Sequence, residues 1–173
     1  MIIIAGRPGQ LGNQLIIYAH FLALARQRGF RLANPSFAPY SVYFRGTLDH
    51  SASEFIFRFV NVLARSLHRM NFRKGKFLRT VSIDWHERVD LDDPASVSLF
   101  DARLCFVLGW TYRGQKLISQ NRAAICDFFT PGPGYMQQLD SFFQDNFKTT
   151  ETVIGIHARR GDYRNFEKGR YFY

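Results

Sequence analysis

The sequence predicts an α/β fold, and three observations carry that prediction. Short apolar runs of strand length recur at Met1–Ala5, Val81–Trp85, Leu104–Gly109 and Val153–Ile156. Longer stretches between them repeat apolar residues at helical spacing, with glycine or proline where a helix should stop. The 173 residues, 46% hydrophobic and 16% aromatic, suffice for one sizeable core, or for one α/β domain and the beginning of another.

The first strand, Met1–Ala5, runs into a glycine-rich turn, 6–12. A helix is expected over about 13–28, with Leu15, Tyr18, Ala19, Leu22 and Ala25 at helical spacing and Gly29 as its C-cap. Arg31–Asn34 then closes a β-α-β unit. Gly6, Gly9 and Gly12 are spaced G-x-x-G-x-x-G, which is not the G-x-G-x-x-G of a dinucleotide fold, and no acidic residue ends the second strand. The dinucleotide reading is rejected. Residues 35–47 make an aromatic, proline-containing loop in which Tyr40, Tyr43 and Phe44 either pack or stack on a sugar; packing is the expected role.

A long helix is expected from Ser53, its N-cap, to Met70, with an apolar stripe of Phe55, Phe59, Val62, Leu63 and Leu67 and with Arg58, Arg65 and Arg69 elsewhere on the surface. Residues 71–79 mix Arg73, Lys74, Lys76 and Arg79 with Phe72 and Phe77. Such a segment is first a solvated helix end and loop, and second a surface for an anionic membrane. Asp84, Asp90, Asp92 and Asp93 lack calcium-loop spacing and are assigned to solvent. The strand at 104–109 leads into Trp110 and Tyr112. A helix over 115–129, the break T-P-G-P-G at 130–134, and a helix over about 135–146 follow.

The formal charge of +9 implies attraction to anions: nucleotide phosphate, nucleic acid and anionic lipid all fit. Cys105 and Cys126 form no redox or zinc spacing and are expected to be buried, reduced thiols, as suits a cytosol. No metal site is visible, and no apolar run reaches membrane-spanning length.

The last strand-like run delivers His157, Arg159 and Arg160 to its C-terminal end, followed by Gly161 and Asp162. Ligands of open α/β sheets bind just beyond such strand ends. Two guanidiniums there, with a glycine for the turn and an aspartate to orient one of them, suit a phosphate or pyrophosphate.

This H-x-R-R-G-D-Y stretch resembles the diagnostic motif of the bacterial α-1,2-fucosyltransferase-like family, which uses GDP-fucose. Gly9–Ala19, G-Q-L-G-N-Q-L-I-I-Y-A, is similar to that family's other signature. The resemblance implies a GT-B glycosyltransferase: residues 1–150 as its Rossmann-like, acceptor-side N-terminal domain, and 151–173 as the first strand and loop of the donor domain, whose remainder would lie beyond Tyr173. It implies an inverting, metal-independent transfer of fucose to a glycan hydroxyl, with no cofactor besides the donor substrate. Arg159 and Asn13 are the implied catalytic residues. His157, Arg159, Arg160 and Asp162 are the implied donor-binding set, and Gly9, Gly12 and Gly161 the implied structural loop positions. From physics alone the glycines at 6–12 simply permit a tight turn, and His157 is equally a histidine bonded within the fold; the resemblance favours function at Asn13. Trp110 and Tyr112 are expected to line the cleft on the acceptor side. The implied partners are a nucleotide sugar and a glycan acceptor, lipid-linked in some bacterial systems, with peripheral membrane contact through 58–79 and a cytoplasmic location at the inner membrane face. A non-catalytic glycan- or partner-binding remnant of the same fold is the alternative. A nucleic-acid module lacks any recognised motif.

Overall fold

The computed structural model describes residues 1–50, 53–84 and 86–147. The chain divides into two compact units, Met1–Met136 and Gln137–Tyr173. The motif at 157–162, Trp85 and the strand expected at 153–156 lie outside the described residues.

The first unit is built on a four-stranded, wholly parallel sheet. Its strands are β1 (Ile2–Ile4), β2 (Leu32–Ala33), β3 (Leu78–Ser82) and β5 (Leu104–Leu108), in the order β2-β1-β5-β3. Ile2 and Ile4 face one side with Cys105 and Val107, while Ile3 and Ala5 face the other with Phe106 and Leu108. The alternation explains the unbroken apolar runs: both faces of a parallel sheet are covered. Two short strands, β4 (Val89–Asp90) and β6 (Tyr112–Arg113), form a separate parallel pair.

One face carries helix α1 (Leu11–Arg28), which buries Ile17, Tyr18, Phe21 and Leu24 in the main core. Gly29 closes α1 with φ 70°, and the amides of Gly29 and Phe30 both return to the Ala25 carbonyl. Helix α2 (Glu54–Arg69) covers the other face. Ser53 caps α2 as expected, its hydroxyl accepting from the Ile56 amide. Asn71, φ 65°, ends it: the Phe72 amide returns to Leu67 and that of Asn71 to His68. Helices α3 (Pro94–Val97), α4 (Gln115–Gln120) and α5 (Arg122–Phe128) complete the unit, and α6 (Pro133–Asn146) follows. In the second unit Phe142, Phe143 and Phe147 pack ring against ring.

Several expectations are corrected. The α2 stripe faces the core only at Leu67: Phe55, Phe59 and Val62 are 78%, 62% and 64% exposed. The buried side is Ala64 flanked by Val60 and Leu67, because alanine lets the helix lie close to the sheet and Asn61 donates to the Ala5 carbonyl at 2.7 Å. The aromatic loop winds into 3-10 turns over Pro35–Tyr43 and Arg45–His50, with Phe37, Tyr40 and Phe44 packed as expected. The third strand starts at Leu78, not Val81. The helix expected over 115–129 breaks at Asn121, whose side-chain amide donates to the Leu117 carbonyl, so that α4 and α5 are distinct. Tyr112 is fully buried and donates to the Leu108 carbonyl at 2.7 Å, a core residue and not a cleft liner. Cys105 is buried but Cys126 is exposed. Asp92 and Asp93 are not idle solvent residues. Asp92 accepts from the amides of Lys116 and Leu117 at the start of α4, and Asp93 caps α3.

Candidate functional site

A cleft of about 330 Å³ lies at the carboxyl ends of β1, β3 and β5, where ligands of open parallel sheets bind. Gly6, Arg7 and Pro8 follow β1, Ser82 and Ile83 end β3, and Leu108 and Gly109 end β5. Arg65, His68 and Arg69 of α2 form the remaining wall. Gly109 adopts φ 92°, and a Cβ there would stand 2.7 Å from the Ile83 carbonyl oxygen; only glycine lets the two strand ends come this close.

Arg7 is fully engaged. It grips Glu54 with two bonds (3.1 and 2.7 Å), donates through Nε to the Ser36 carbonyl at 2.8 Å, and lies 3.9 Å over the Phe57 ring. This clamp ties the loop after β1 to the start of α2, and the Arg7 bond holds the Glu54 carboxyl below its usual range. Arg65 spends only Nε, on the Asn61 side chain at 3.1 Å. Arg69 has no acceptor among the described residues. His68 contacts Thr80 Oγ1 through Nδ1, 3.3 Å, and the Arg73 guanidinium through Nε2, 3.3 Å. Thr80 spends its own proton on the Phe72 carbonyl, so Nδ1 carries the imidazole proton and Nε2 accepts from Arg73. Burial first and Arg73 second hold the His68 pKa below its ordinary value, against a pull from Asp84.

The residues expected from the sequence divide sharply. Asn13 lies in the first turn of α1, half-buried beside the loop that forms the cleft floor, but does not line the cleft. Its amide packs against Gly9: at φ 58°, a Cβ on Gly9 would lie 2.6 Å from Asn13 Nδ2. Gly9 lies in the loop before α1, whereas Gly12 lies inside α1, which begins at Leu11, and a Cβ on Gly12 meets nothing within 4 Å. His157, Arg159, Arg160, Gly161 and Asp162 lie outside the described residues.

Sequence reasoning missed Gln14, which is 1% exposed and donates to the Gly9 carbonyl at 3.1 Å, fixing the turn from inside. It also placed Arg65 and Arg69 merely on the surface and passed over His68. The signal was the run Arg65-Ser-Leu-His68-Arg69, which sets three basic side chains on one helical side. Among the described residues, no group of three or more histidine, cysteine or acidic side chains is placed to hold a metal, and no helix is long and apolar enough to cross a membrane.

No protein-family model matches the chain, and no solved structure matches it significantly. The chain is 30% identical to the galactoside alpha-(1,2)-fucosyltransferase 2 of Mus musculus over 158 residues. That alignment takes in 90% of this chain and 39% of the mouse protein. The chain therefore spans about two fifths of the length of this relative, and over that span its sequence is similar to that of a fucosyltransferase.

Proposed function

We propose that this chain is the acceptor-side part of an inverting, metal-independent fucosyltransferase of GT-B type, moving fucose from GDP-fucose to a glycan hydroxyl as bacterial α-1,2 enzymes do. The observation that carries the proposal is the 158-residue similarity to the mouse α-1,2 enzyme, which takes in nearly all of this chain. In the reaction, the bond from the sugar's anomeric carbon to the β-phosphate breaks as a bond to the acceptor oxygen forms. GDP departs with the bonding electrons, and the acceptor proton passes to a base. Positive charge builds on the sugar and negative charge on the diphosphate, so fixed cations at the leaving group lower the barrier. Arg159 takes the β-phosphate in this reading. Arg160 and Asp162 brace one another beside it, and His157 meets phosphate or ribose. Asn13, held by Gly9 and backed by the buried Gln14, serves the junction of donor and acceptor.

The acceptor is proposed to be lipid-linked, with the chain resting on the cytoplasmic face of an anionic membrane through 58–79 and its neighbours. Support comes from α2, whose solvent side carries Phe55, Phe59, Val62 and Leu63, bordered by Arg58, Arg65 and Arg69 and continued by the exposed Phe77.

Titration calorimetry with GDP tests the assignment. Heat that is lost in Arg159→Gln is expected. A chain that gives no heat with GDP yet binds fucosyl-acceptor glycans is a non-catalytic binding domain, and the transferase reading falls.

A further inference from the structure

The α2 cleft carries more positive charge than its own structure uses. Among the described residues, Arg7 alone of its three arginines meets a carboxylate, that of Glu54. Arg65 and Arg69 stand four residues apart on one helix, where like charges repel. Among the described residues, no acidic side chain lines the cleft. Asp84 lies close enough to act on His68, but no ion pair joins it to Arg65 or Arg69 among the described residues. Arg65 and Arg69 line the cleft beside the strand ends while remaining solvent-exposed. The floor is made of strand termini and of loops narrowed by Gly6 and Gly109, a location that suits a compact ligand.

We infer that this cleft binds a phosphoryl dianion, a phosphate or diphosphate group, through the guanidiniums of Arg65 and Arg69. A guanidinium presents its donors as a planar fork matched to phosphate oxygens, and two of them neutralise a dianion. His68 stands at the rim with its Nε2 turned to Arg73 at 3.3 Å, so it shapes the site without adding charge. The inference stands on the charge and position of the cleft and does not depend on fucosyl transfer. Two sources offer this chemistry: the diphosphate of a nucleotide sugar, or a phosphate borne by the acceptor.

The test is calorimetry on the full chain with inorganic pyrophosphate at low ionic strength. Combining Arg65→Gln with Arg69→Gln is expected to weaken binding by roughly tenfold or more, about one decade for each 1.4 kcal/mol of lost interaction. Arg26→Gln combined with Arg28→Gln, which removes an equal charge at exposed positions outside the cleft, is expected to change it by less than threefold. All four replaced arginines are solvent-exposed, so the fold should survive. As a second readout, pyrophosphate should shield Arg65 and Arg69 from phenylglyoxal, scored by mass spectrometry. A GDP arm separates the sources: competition between GDP and pyrophosphate that the Arg65/Arg69 variant abolishes assigns the cleft to the donor, and independent binding assigns it to the acceptor. Unchanged pyrophosphate affinity in the Arg65/Arg69 variant overturns the inference, as does an equal loss in the Arg26/Arg28 variant. Binding lost only in Arg159→Gln also overturns it while leaving the transferase reading intact.

Discussion

Gly9 and Gly12 look equivalent in the sequence, yet their structural settings predict opposite responses to alanine. Gly9 sits at φ 58°, where a side chain costs about 1–2 kcal/mol, and its new Cβ would meet Asn13 Nδ2 at 2.6 Å. The clash is with the end of a side chain, so Asn13 moves and the backbone stays; the stability loss is then about 1–2 kcal/mol, with Asn13 displaced. Gly12 has ordinary helical geometry in the first turn of α1, with open space where its Cβ would be. There alanine restricts the unfolded chain and raises helix propensity, a gain of about 0.5–1 kcal/mol. Urea unfolding followed by circular dichroism measures both, the midpoints shifting in opposite directions at constant slope. If Gly12→Ala lost more than 1 kcal/mol, Gly12 would be a loop or contact glycine after all, and the reasoning from its surroundings would fail. If Gly9→Ala were neutral, the left-handed turn that presents Asn13 would not be as described.

Tyr112→Phe should cost about 1 kcal/mol, because the Leu108 carbonyl loses its buried donor; ligand affinity should be unchanged, whereas a cleft-lining tyrosine would show the reverse. Cys126 should react promptly with maleimide in the folded chain, while Cys105, buried and with its thiol pushed up to about 12, should react only on unfolding, as mass spectrometry would resolve. Stability should fall as pH drops below about 6.5. His68 and His20 are both held below that ordinary value, chiefly by burial, so protons bind the unfolded chain first; the loss accumulates from 6.5 down to their folded values, and His68→Gln should shrink it. Phe55→Ser with Phe59→Ser should abolish flotation with phosphatidylserine vesicles while leaving the urea midpoint within about 0.5 kcal/mol, since both rings are already in solvent. Flotation that persists refutes the membrane face.

The sheet was legible because parallel strands covered on both faces must be apolar at every position, and Ile2–Ile4 and Leu104–Leu108 are. Helix ends were legible where one residue does the capping, as at Ser53 and Gly29. The orientation of α2 was not, because two of its sides are apolar. Phe55, Phe59 and Val62 outweigh Val60, Ala64 and Leu67 in apolar surface, yet close approach to the sheet and the Asn61–Ala5 bond select the less bulky set. The β4–β6 pair, two residues a strand, carries no periodic signal at all. For the site, the Gly9–Asn13 turn was visible as a local motif. The Arg65–His68–Arg69 wall was not, because it becomes a cleft only when three strand ends distant in sequence meet one helix.

That helix explains why the anion cleft and the apolar face occur together. With about 3.6 residues per turn, α2 divides lengthwise into three sectors. Val60, Ala64 and Leu67 close the sheet; Arg65, His68 and Arg69 wall the cleft; Phe55, Phe59 and Val62 face outward. Arg65 and Arg69 occupy the boundary between the second and third sectors, so their stems border the phenylalanine face while their guanidiniums reach the cleft. A single amphipathic helix needs two sectors, one for the core and one for water. The third, apolar and in solvent, adds little burial to this unit, and in the membrane reading proposed above its place beside the cationic cleft is where a lipid-borne acceptor would arrive.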